Sequence, residues 1–153
     1  TGLKAATMDW IFFTDSDGQF HYDELDKFVA ASQSADLVIG YRRKRMDPFH
    51  RVFVAQVLLK IWNFFLFGLT VRDVDCAYKL FKREVRDSIK LETESAITVT
   101  ELLVKAKSLG YRITQLPVTH YARKFGEQTG GNWRVIAKAA NESFKLRRKI
   151  RHV

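Results

Sequence analysis

The stretch DWIFFTDSDGQF, from Asp9 to Phe20, constrains the fold of this 153-residue chain more than any other part of it. The residues after Asp9 are apolar and largely aromatic, with polar residues on both sides, a pattern typical of a short buried strand. Asp15 and Asp17 follow the strand directly, and side-chain alternation predicts that both leave it on the same side, with Gln19 behind them if the chain stays extended. This predicts a polar cluster beyond the carboxyl end of a strand, where open parallel sheets bind ligands.

Strand and helix patterns alternate along the chain. YDELDKFVAASQ has apolar residues at helical spacing and acids in its first turn, and ADLVIGYR (35–42) reads as a second buried strand. Strand, helix and strand in this order predict a βαβ unit with a parallel sheet. Further strands are predicted at 77–85 and 111–123, the latter at an edge or bulge because of Pro117, and further helices at 94–110 and from Trp133.

The segment from Phe49 to Leu69 is long and very apolar. It approaches the length of a membrane span, but four polar residues interrupt it: Arg51, Gln56, Lys60 and Asn63. This pattern favours an amphipathic helix that lies in a membrane interface or beneath another helix, and an ordinary core helix is the open alternative.

Composition and charge limit the class of protein. The chain is 46% hydrophobic and 28% charged with two prolines, which predicts one globular domain. The net charge of +9 calls for an anionic partner, which is nucleic acid, a phosphate-bearing substrate or an anionic membrane. Cys76 is the single cysteine and no secretory signal is recognisable, so we expect a reducing, cytoplasmic setting.

Two carboxylates brought together repel each other, and a divalent cation resolves that repulsion. Oxygen ligands suit Mg²⁺ or Mn²⁺, which keep positions open for substrate phosphates. An EF-hand calcium loop starting at Asp15 is excluded, because its sixth position holds Phe20 and its twelfth holds Asp26. FFTDSDG also resembles the first motif of the haloacid dehalogenase phosphatases, although a downstream Gly-Asp loop is missing and Gln19 replaces the usual threonine; this alternative stays open.

A third family accounts for more of the chain. Asp15, Asp17 and Gln19 match the Asp-x-Asp-x-Gln metal motif of the inverting GT-A glycosyltransferases of family 2, especially those that resemble dolichol-phosphate mannose synthase and bacterial polyprenyl-phosphate glycosyltransferases. The resemblance continues in order through ADLVIGYRRKR, VRDVDCAYKLFKRE, TELLVKAKSLGYRITQLPV and RKFGEQT. Two departures concern acceptor contacts: Ala77 replaces the usual glycine, and Gly130 replaces the usual lysine after Thr129.

The resemblance implies a Rossmann-like GT-A fold, in the α/β class, with a mostly parallel sheet that is incomplete at its N-terminus. Family members carry a preceding half-domain that holds the base and ribose of the nucleotide, so we expect nucleotide binding to need more than this chain. Residues 1–125 would form the C-terminal part of the catalytic domain, and residues 126–153 a basic amphipathic helix attracted to anionic lipid headgroups.

By the same resemblance, the expected function is inverting, metal-dependent transfer of a sugar from a nucleotide-sugar donor to a polyprenyl phosphate, either dolichyl or undecaprenyl, at the cytoplasmic face of a membrane. Mg²⁺ or Mn²⁺ held by Asp15, Asp17 and Gln19 would stabilise the departing diphosphate. A lipid phosphate is already ionised near neutral pH and needs no strong general base, whereas an alcohol acceptor would need one.

Five further residues are candidates for the site. Asp75 is the candidate base or acceptor-site acid with Asp73 as its neighbour, and the alternative is a turn in which both acids bind backbone. Arg42, Arg51 and Arg123 are expected to bind donor or acceptor phosphates, and the alternative is a solvated positive face.

A non-enzymatic alternative is a basic domain that binds nucleic acid through YRRKR (41–45) and the terminal helix. No recognition motif supports it, and acids at a strand end would repel phosphate unless a metal were bound. We therefore expect no nucleic-acid partner.

Overall fold

The computed structural model describes residues 2–43, 59–93, 97–122 and 133–150. Four strands form one sheet: β1 (Trp10–Phe13), β2 (Leu37–Arg42), β3 (Lys79–Lys82) and β4 (Ile113–Val118). The helices are α1 (Gly2–Ala5), α2 (Leu25–Ala31, after a 3₁₀ turn at Tyr22–Glu24), α3 (Leu59–Phe67), α4 (Arg83–Ser88), α5 (Thr98–Ser108) and α6 (Trp133–Ile150). The fold is therefore mixed α/β, as the alternating patterns predict.

The strand order is β1-β3-β2-β4. β3 runs antiparallel to both β1 and β2, and β2 pairs in parallel with β4, so β1, β2 and β4 share one direction. β1 and β2 run in the same direction, as a βαβ unit requires, but they do not pair with each other, because the antiparallel β3 lies between them. The sheet is also less parallel than expected, since two of its three neighbouring pairs are antiparallel. Local strand–helix–strand order fixes the direction of two strands, but it does not say which distant strand inserts between them.

Both faces of the sheet are covered. Side-chain alternation sends Leu37 and Ile39 of β2 into one core with Phe81 and with residues of α5, while Val38 joins Leu80 and Phe28 of α2 in a second core on the opposite face. Leu146 of α6, which is 2% exposed, packs into the first core. The near-continuous apolar run of β2 therefore belongs to a strand that is buried on both faces.

Predicted and observed elements differ mainly at their ends. The predicted strand at 77–85 ends at Lys82, because α4 begins at Arg83. The predicted helix at 94–110 is α5, and Gly110 follows its end with a positive φ of 81°, as expected for a glycine that closes a helix. Pro117 lies in β4, an edge strand of the sheet in the described part of the chain, as predicted. Of the apolar segment at 49–69, the first part lies outside the described residues, and 59–67 forms α3.

Candidate active site

The directions of the strands bring several predicted residues to one end of the sheet. The carboxyl ends of β1 and β2 lie at this end, so the acidic segment after Phe13 and Arg42 at the end of β2 both lie there. Because β3 runs the other way, the turn at 73–76 that precedes it lies at the same end. The expectation that the acids lie beyond the carboxyl ends of strands is thus met by the topology.

The acidic segment forms a tight turn. Asp15 is exposed and Asp17 is half-buried. The backbone N–H of Gln19 donates to Asp17 Oδ1 at 3.0 Å, and Gly18 between them has a φ of 75°, a left-handed conformation that favours glycine. The chain does not stay extended here, so alternation along a strand does not by itself place the three side chains together.

Gln19 joins this turn to the segment after β4. It is 7% exposed, its Nε2 donates to the carbonyl oxygen of Tyr121 at 3.1 Å, and the N–H of Tyr121 donates to the carbonyl oxygen of Gln19 at 3.0 Å. Both hydrogen bonds span about a hundred residues of sequence and were not predictable from the motif.

The donor chemistry of the acidic turn fits Mg²⁺ or Mn²⁺. Asp15 and Asp17 offer carboxylates, and the amide oxygen of Gln19 is the end of that group that can ligate a cation. Among the described residues no three or more His, Cys, Asp or Glu side chains cluster as a metal centre. Magnesium needs no such cage, because one or two carboxylates together with substrate phosphates and water complete its coordination.

Asp73 and Arg42 form a two-point ion pair. Arg42 Nε lies 2.7 Å from Asp73 Oδ2, and Arg42 Nη2 lies 2.8 Å from Asp73 Oδ1. The backbone N–H of Arg42 also donates to Asp73 Oδ2 at 3.3 Å. The side chains of Arg42 and Asp73 are 12% and 5% exposed. Sequence reasoning assigned separate roles to these two residues and missed the pair, which is separated by thirty-one positions and has no local signal.

Asp75 differs from Asp73 in its surroundings. The residue is exposed by surface area, yet the protein atoms packed around its carboxyl group disfavour the charged form and raise its pKa, and the negative charge of Asp73 raises it further. The charges of Arg42 and Lys79 oppose this rise in the pKa. A carboxylate with an elevated pKa binds a proton more readily, which suits the candidate base or acceptor-site acid.

The turn that carries both acids packs closely on β2. A Cβ atom added to Gly40 would lie 3.0 Å from Cys76 Sγ and 3.0 Å from the carbonyl oxygen of Tyr78, so a larger residue here would require these neighbours to shift. Cys76 is fully buried, and burial raises the pKa of its thiol to about 11. Cys76 therefore packs as a small apolar residue, as the sequence predicts.

A pocket of about 840 Å³ opens beside the ion pair. Arg42, Lys60 and Arg72 bring positive charge to its lining. The guanidinium carbon of Arg72 lies 4.8 Å from the ring centroid of Tyr41, and the backbone N–H of Arg72 donates to Gln115 Oε1 at 2.8 Å. Lys60 and Arg72 were not predicted as site residues. The sequence offered one signal for each: Lys60 interrupts the apolar segment at 49–69, and Arg72 directly precedes Asp73.

The apolar wall of the pocket is the outer face of α3. Ile61, Phe64 and Phe65 line it and are 48%, 51% and 76% exposed. Trp62 of the same helix makes an edge contact with Phe144 of α6, with ring centroids 5.1 Å apart. None of the helices in the described ranges has the length and hydropathy needed to cross a bilayer.

Two predicted phosphate-binding residues cannot be placed in this site. Arg51 and Arg123 lie outside the described residues. Their assignment stays a prediction.

Comparison with known proteins tests the expected family. The model of "Glycosyl transferase family 2" matches residues 1–89, which is more than half of the chain. The polyprenol monophosphomannose synthase of Mycolicibacterium smegmatis is 27% identical over 131 residues, which cover 78% of this chain and 49% of that protein. An uncharacterised glycosyltransferase of Mycobacterium bovis is 30% identical over 138 residues, which cover 88% of this chain and 60% of that protein.

The structural comparison agrees in fold. The crystal structure of glucosyl-3-phosphoglycerate synthase from Mycobacterium tuberculosis, in complex with phosphoglyceric acid, superposes with a TM-score of 0.66 at 16% identity. The match covers 95% of this chain and 50% of that one, and it confirms the predicted GT-A fold. The chain thus spans about half the length of the relatives it matches. The family model, the relatives and the fold agree, and the chain belongs to glycosyl transferase family 2.

Proposed function

We propose that the protein containing this chain transfers a sugar from a nucleotide-sugar donor to a polyprenyl phosphate. The observation that carries the proposal is the pocket beside Asp73, where Arg42, Arg72 and Lys60 of α3 lie next to exposed apolar side chains of α3. The name of the Mycolicibacterium smegmatis relative, a polyprenol monophosphomannose synthase, supports a polyprenol-based acceptor.

The shape of a polyprenyl phosphate explains why this pocket suits it. Its headgroup is an anion, and its tail is a long hydrocarbon. Lys60 and Arg72 are exposed cations that would bind the phosphate oxygens, and Arg42 has donors beyond the two that bind Asp73. Phe64 and Phe65 would contact the first part of the tail, where burial of apolar surface adds to affinity.

The acidic turn would serve the donor side of the reaction. Asp15, Asp17 and Gln19 are proposed to hold Mg²⁺ or Mn²⁺, which would supply Lewis-acid stabilisation for the departing nucleoside diphosphate. Gly18 and the hydrogen bond from Gln19 to Asp17 set the shape of the turn. The hydrogen bonds between Gln19 and Tyr121 anchor it to the end of β4.

The acceptor side needs little proton transfer. A phosphate oxygen that attacks the sugar is already anionic near neutral pH. Asp75 is proposed as the acceptor-site acid, and it becomes the general base if the acceptor is an alcohol. A direct attack opposite the leaving diphosphate inverts the configuration of the sugar carbon, which is the inverting outcome expected from the resemblance.

Contact with a membrane would bring the enzyme to its acceptor. Phe65 of α3 and Phe144 of α6 are exposed, and Lys145 and Arg148 lie near Phe144 on the exposed face of α6. Such cations contribute about 1 kcal/mol each near an anionic bilayer. We propose peripheral binding to the cytoplasmic face of a membrane. The comparisons do not support the dehalogenase-type phosphatase or the nucleic-acid-binding alternative.

The experiment uses the full-length parent protein, a panel of nucleotide sugars and a polyprenyl phosphate, with Mn²⁺ or Mg²⁺ present. A glycolipid detected by mass is the expected product, and Asp17→Asn is expected to remove most of the activity while the fold persists. Asp26 is an exposed acid on α2, so Asp26→Asn is the matched control and should stay active. Full activity in excess chelator would contradict the metal role. Release of phosphate from small esters, abolished by Asp15→Asn, would favour the phosphatase instead.

A further inference from the structure

Lys79 occupies a position that usually holds an apolar side chain. It begins β3, where it pairs with Phe13 of β1 on one side and Ile39 of β2 on the other. The residue is 1% exposed, and burial lowers the pKa of its ammonium group. Placing a lysine here costs free energy of solvation, so its contacts must compensate.

Those contacts are carbonyl oxygens of the turn at 73–76. Lys79 Nζ donates to the carbonyl oxygen of Val74 at 3.1 Å and to that of Cys76. Val74 and Cys76 flank Asp75, so the ammonium group holds the chain on both sides of this acid. The backbone hydrogen bond across the turn, from the N–H of Cys76 to the carbonyl oxygen of Asp73, is long at 3.4 Å. The two hydrogen bonds from Lys79 are therefore a main constraint on the turn.

We propose that Lys79 is a positioning residue that fixes the backbone around Asp75 and so holds Asp75 in place next to Asp73, which lines the pocket. The inference rests on the proposed function in assigning a role to Asp75. Arg42 fixes the Asp73 end of the turn, and close packing on Gly40 fixes the Cys76 end. Lys79 fixes the middle.

A neutral apolar residue would not replace Lys79. Methionine matches its length but donates no hydrogen bond, so two buried carbonyl oxygens would lose a partner. The positive charge of Lys79 also opposes the rise in the pKa of Asp75, alongside that of Arg42 and against the charge of Asp73. Loss of Lys79 should therefore raise the pKa of Asp75 further.

The test compares Lys79→Met with Lys82→Met in the full-length protein. Lys82 lies on the same strand but binds Asp36, at the opposite end of the sheet from the turn. For Lys79→Met we expect kcat to fall by about 10- to 100-fold, as for a misplaced reacting group, with little change in KM. Any acid limb of the kcat profile that reports Asp75 should move to higher pH, because loss of the Lys79 charge raises the pKa of Asp75. Lys82→Met should leave kcat and the profile unchanged, and equal effects of the two substitutions would overturn the proposal.

A double-mutant cycle separates positioning from a general loss of structure. If Lys79 acts through Asp75, then Lys79→Met should cost little kcat in an Asp75→Asn background. Additive losses would show that Lys79 acts elsewhere. If Lys79→Met does not fold, Lys79→Gln, which keeps two donor hydrogens without the charge, takes its place in the cycle.

Hydrogen exchange distinguishes failure of this inference from failure of the proposed function. If the wild-type protein forms no glycolipid, the proposed function fails, and amide exchange across 73–78 still tests Lys79. Faster exchange there in Lys79→Met than in Lys82→Met supports the positioning role. Unchanged exchange in both variants overturns it.

Discussion

At the scale of single residues, the candidate site contains one cation that is held in an ion pair and two that are exposed. The Arg42 guanidinium is held by two hydrogen bonds to a nearly buried Asp73. Breaking such a pair leaves an uncompensated charge and is costly, about 3–5 kcal/mol. Arg72 and Lys60 are exposed and line the same pocket. Arg42 is thus suited to shaping the pocket, and Arg72 and Lys60 to binding an incoming anion.

Arg72→Ala tests this division. We expect KM for polyprenyl phosphate to rise about tenfold in the full-length protein, because one charge-assisted contact to phosphate, worth about 1.5 kcal/mol, is lost. Steady-state kinetics with a saturating sugar donor measures the change. Arg112→Ala is the matched control, since Arg112 is an arginine that binds Asp36 at the other end of the sheet. An unchanged KM in Arg72→Ala would remove Arg72 from the acceptor site.

At the scale of secondary-structure elements, one end of the sheet carries the candidate site and the other end is joined by ion pairs and hydrogen bonds. The carboxyl ends of β1 and β2 carry the candidate site. At the opposite end Asp36, just before β2, binds Lys82 of β3 at 2.7 Å and accepts the N–H of Arg112, just before β4, at 3.0 Å. One carboxylate therefore joins three neighbouring strands.

Asp36 gives the fold a predictable acid sensitivity. Hydrogen bonds from Lys82 and then from the backbone of Arg112 hold the pKa of Asp36 well below its ordinary value of 3.8. Because the folded-state pKa is depressed, the stabilisation is fully present above the ordinary value and is lost as the pH falls below it. Asp36→Asn should lower the free energy of unfolding at pH 7 and flatten its decline below about pH 4.

Urea unfolding of the full-length protein at several pH values measures this effect. Asp9→Asn is the control, because Asp9 is 88% exposed and its contact with Arg83 lies at the surface, where such pairs contribute little. If Asp36→Asn and the wild-type protein lose stability equally between pH 5 and about pH 3, the role of Asp36 is wrong.

Helices α3 and α6 form an exposed apolar and basic surface. Trp62 and Phe144 connect them, and Phe65 is the most exposed aromatic residue of α3 in the described part of the chain. Phe65→Ser should weaken binding of the full-length protein to anionic vesicles by about tenfold or more, since an aromatic side chain contributes about 1.5–3 kcal/mol when it becomes buried. Vesicle co-sedimentation measures binding. Val29→Ser is the control, because Val29 is an apolar residue of α2 that is 49% exposed. Equal losses of vesicle binding in the two variants would contradict membrane binding by the surface of α3 and α6.

At the scale of the whole molecule, local patterns predicted most elements and distant contacts were missed. The apolar runs of β1 and β2 and the helical spacing in α2 and α5 identified those elements, because their burial produces a pattern of apolar residues within a short stretch of sequence. The insertion of β3 between β1 and β2 depends on pairing across the chain, such as Ile11 with Phe81, and no local signal reports it.

The same distinction holds for the candidate site. The spacing of Asp15, Asp17 and Gln19 pointed to a polar cluster beyond the end of β1, and their metal role stays a prediction. The Arg42–Asp73 pair, the contacts of Lys79 and the pocket cation Lys60 depend on which segments meet in space. Sequence order alone therefore predicted the family, and the roles that it assigned to site residues stay predictions. It did not predict how the candidate site is held together.

The most direct test of the central claim measures transfer of labelled sugar into lipid by the full-length protein. Polyprenyl phosphate is compared with the same polyprenol without its phosphate, and Asp17→Asn is the inactive control. We predict product only with the phosphate, only with Mg²⁺ or Mn²⁺, and only in the wild-type protein. Equal transfer to the unphosphorylated polyprenol, or no lipid-linked sugar with any donor, would contradict the proposed function.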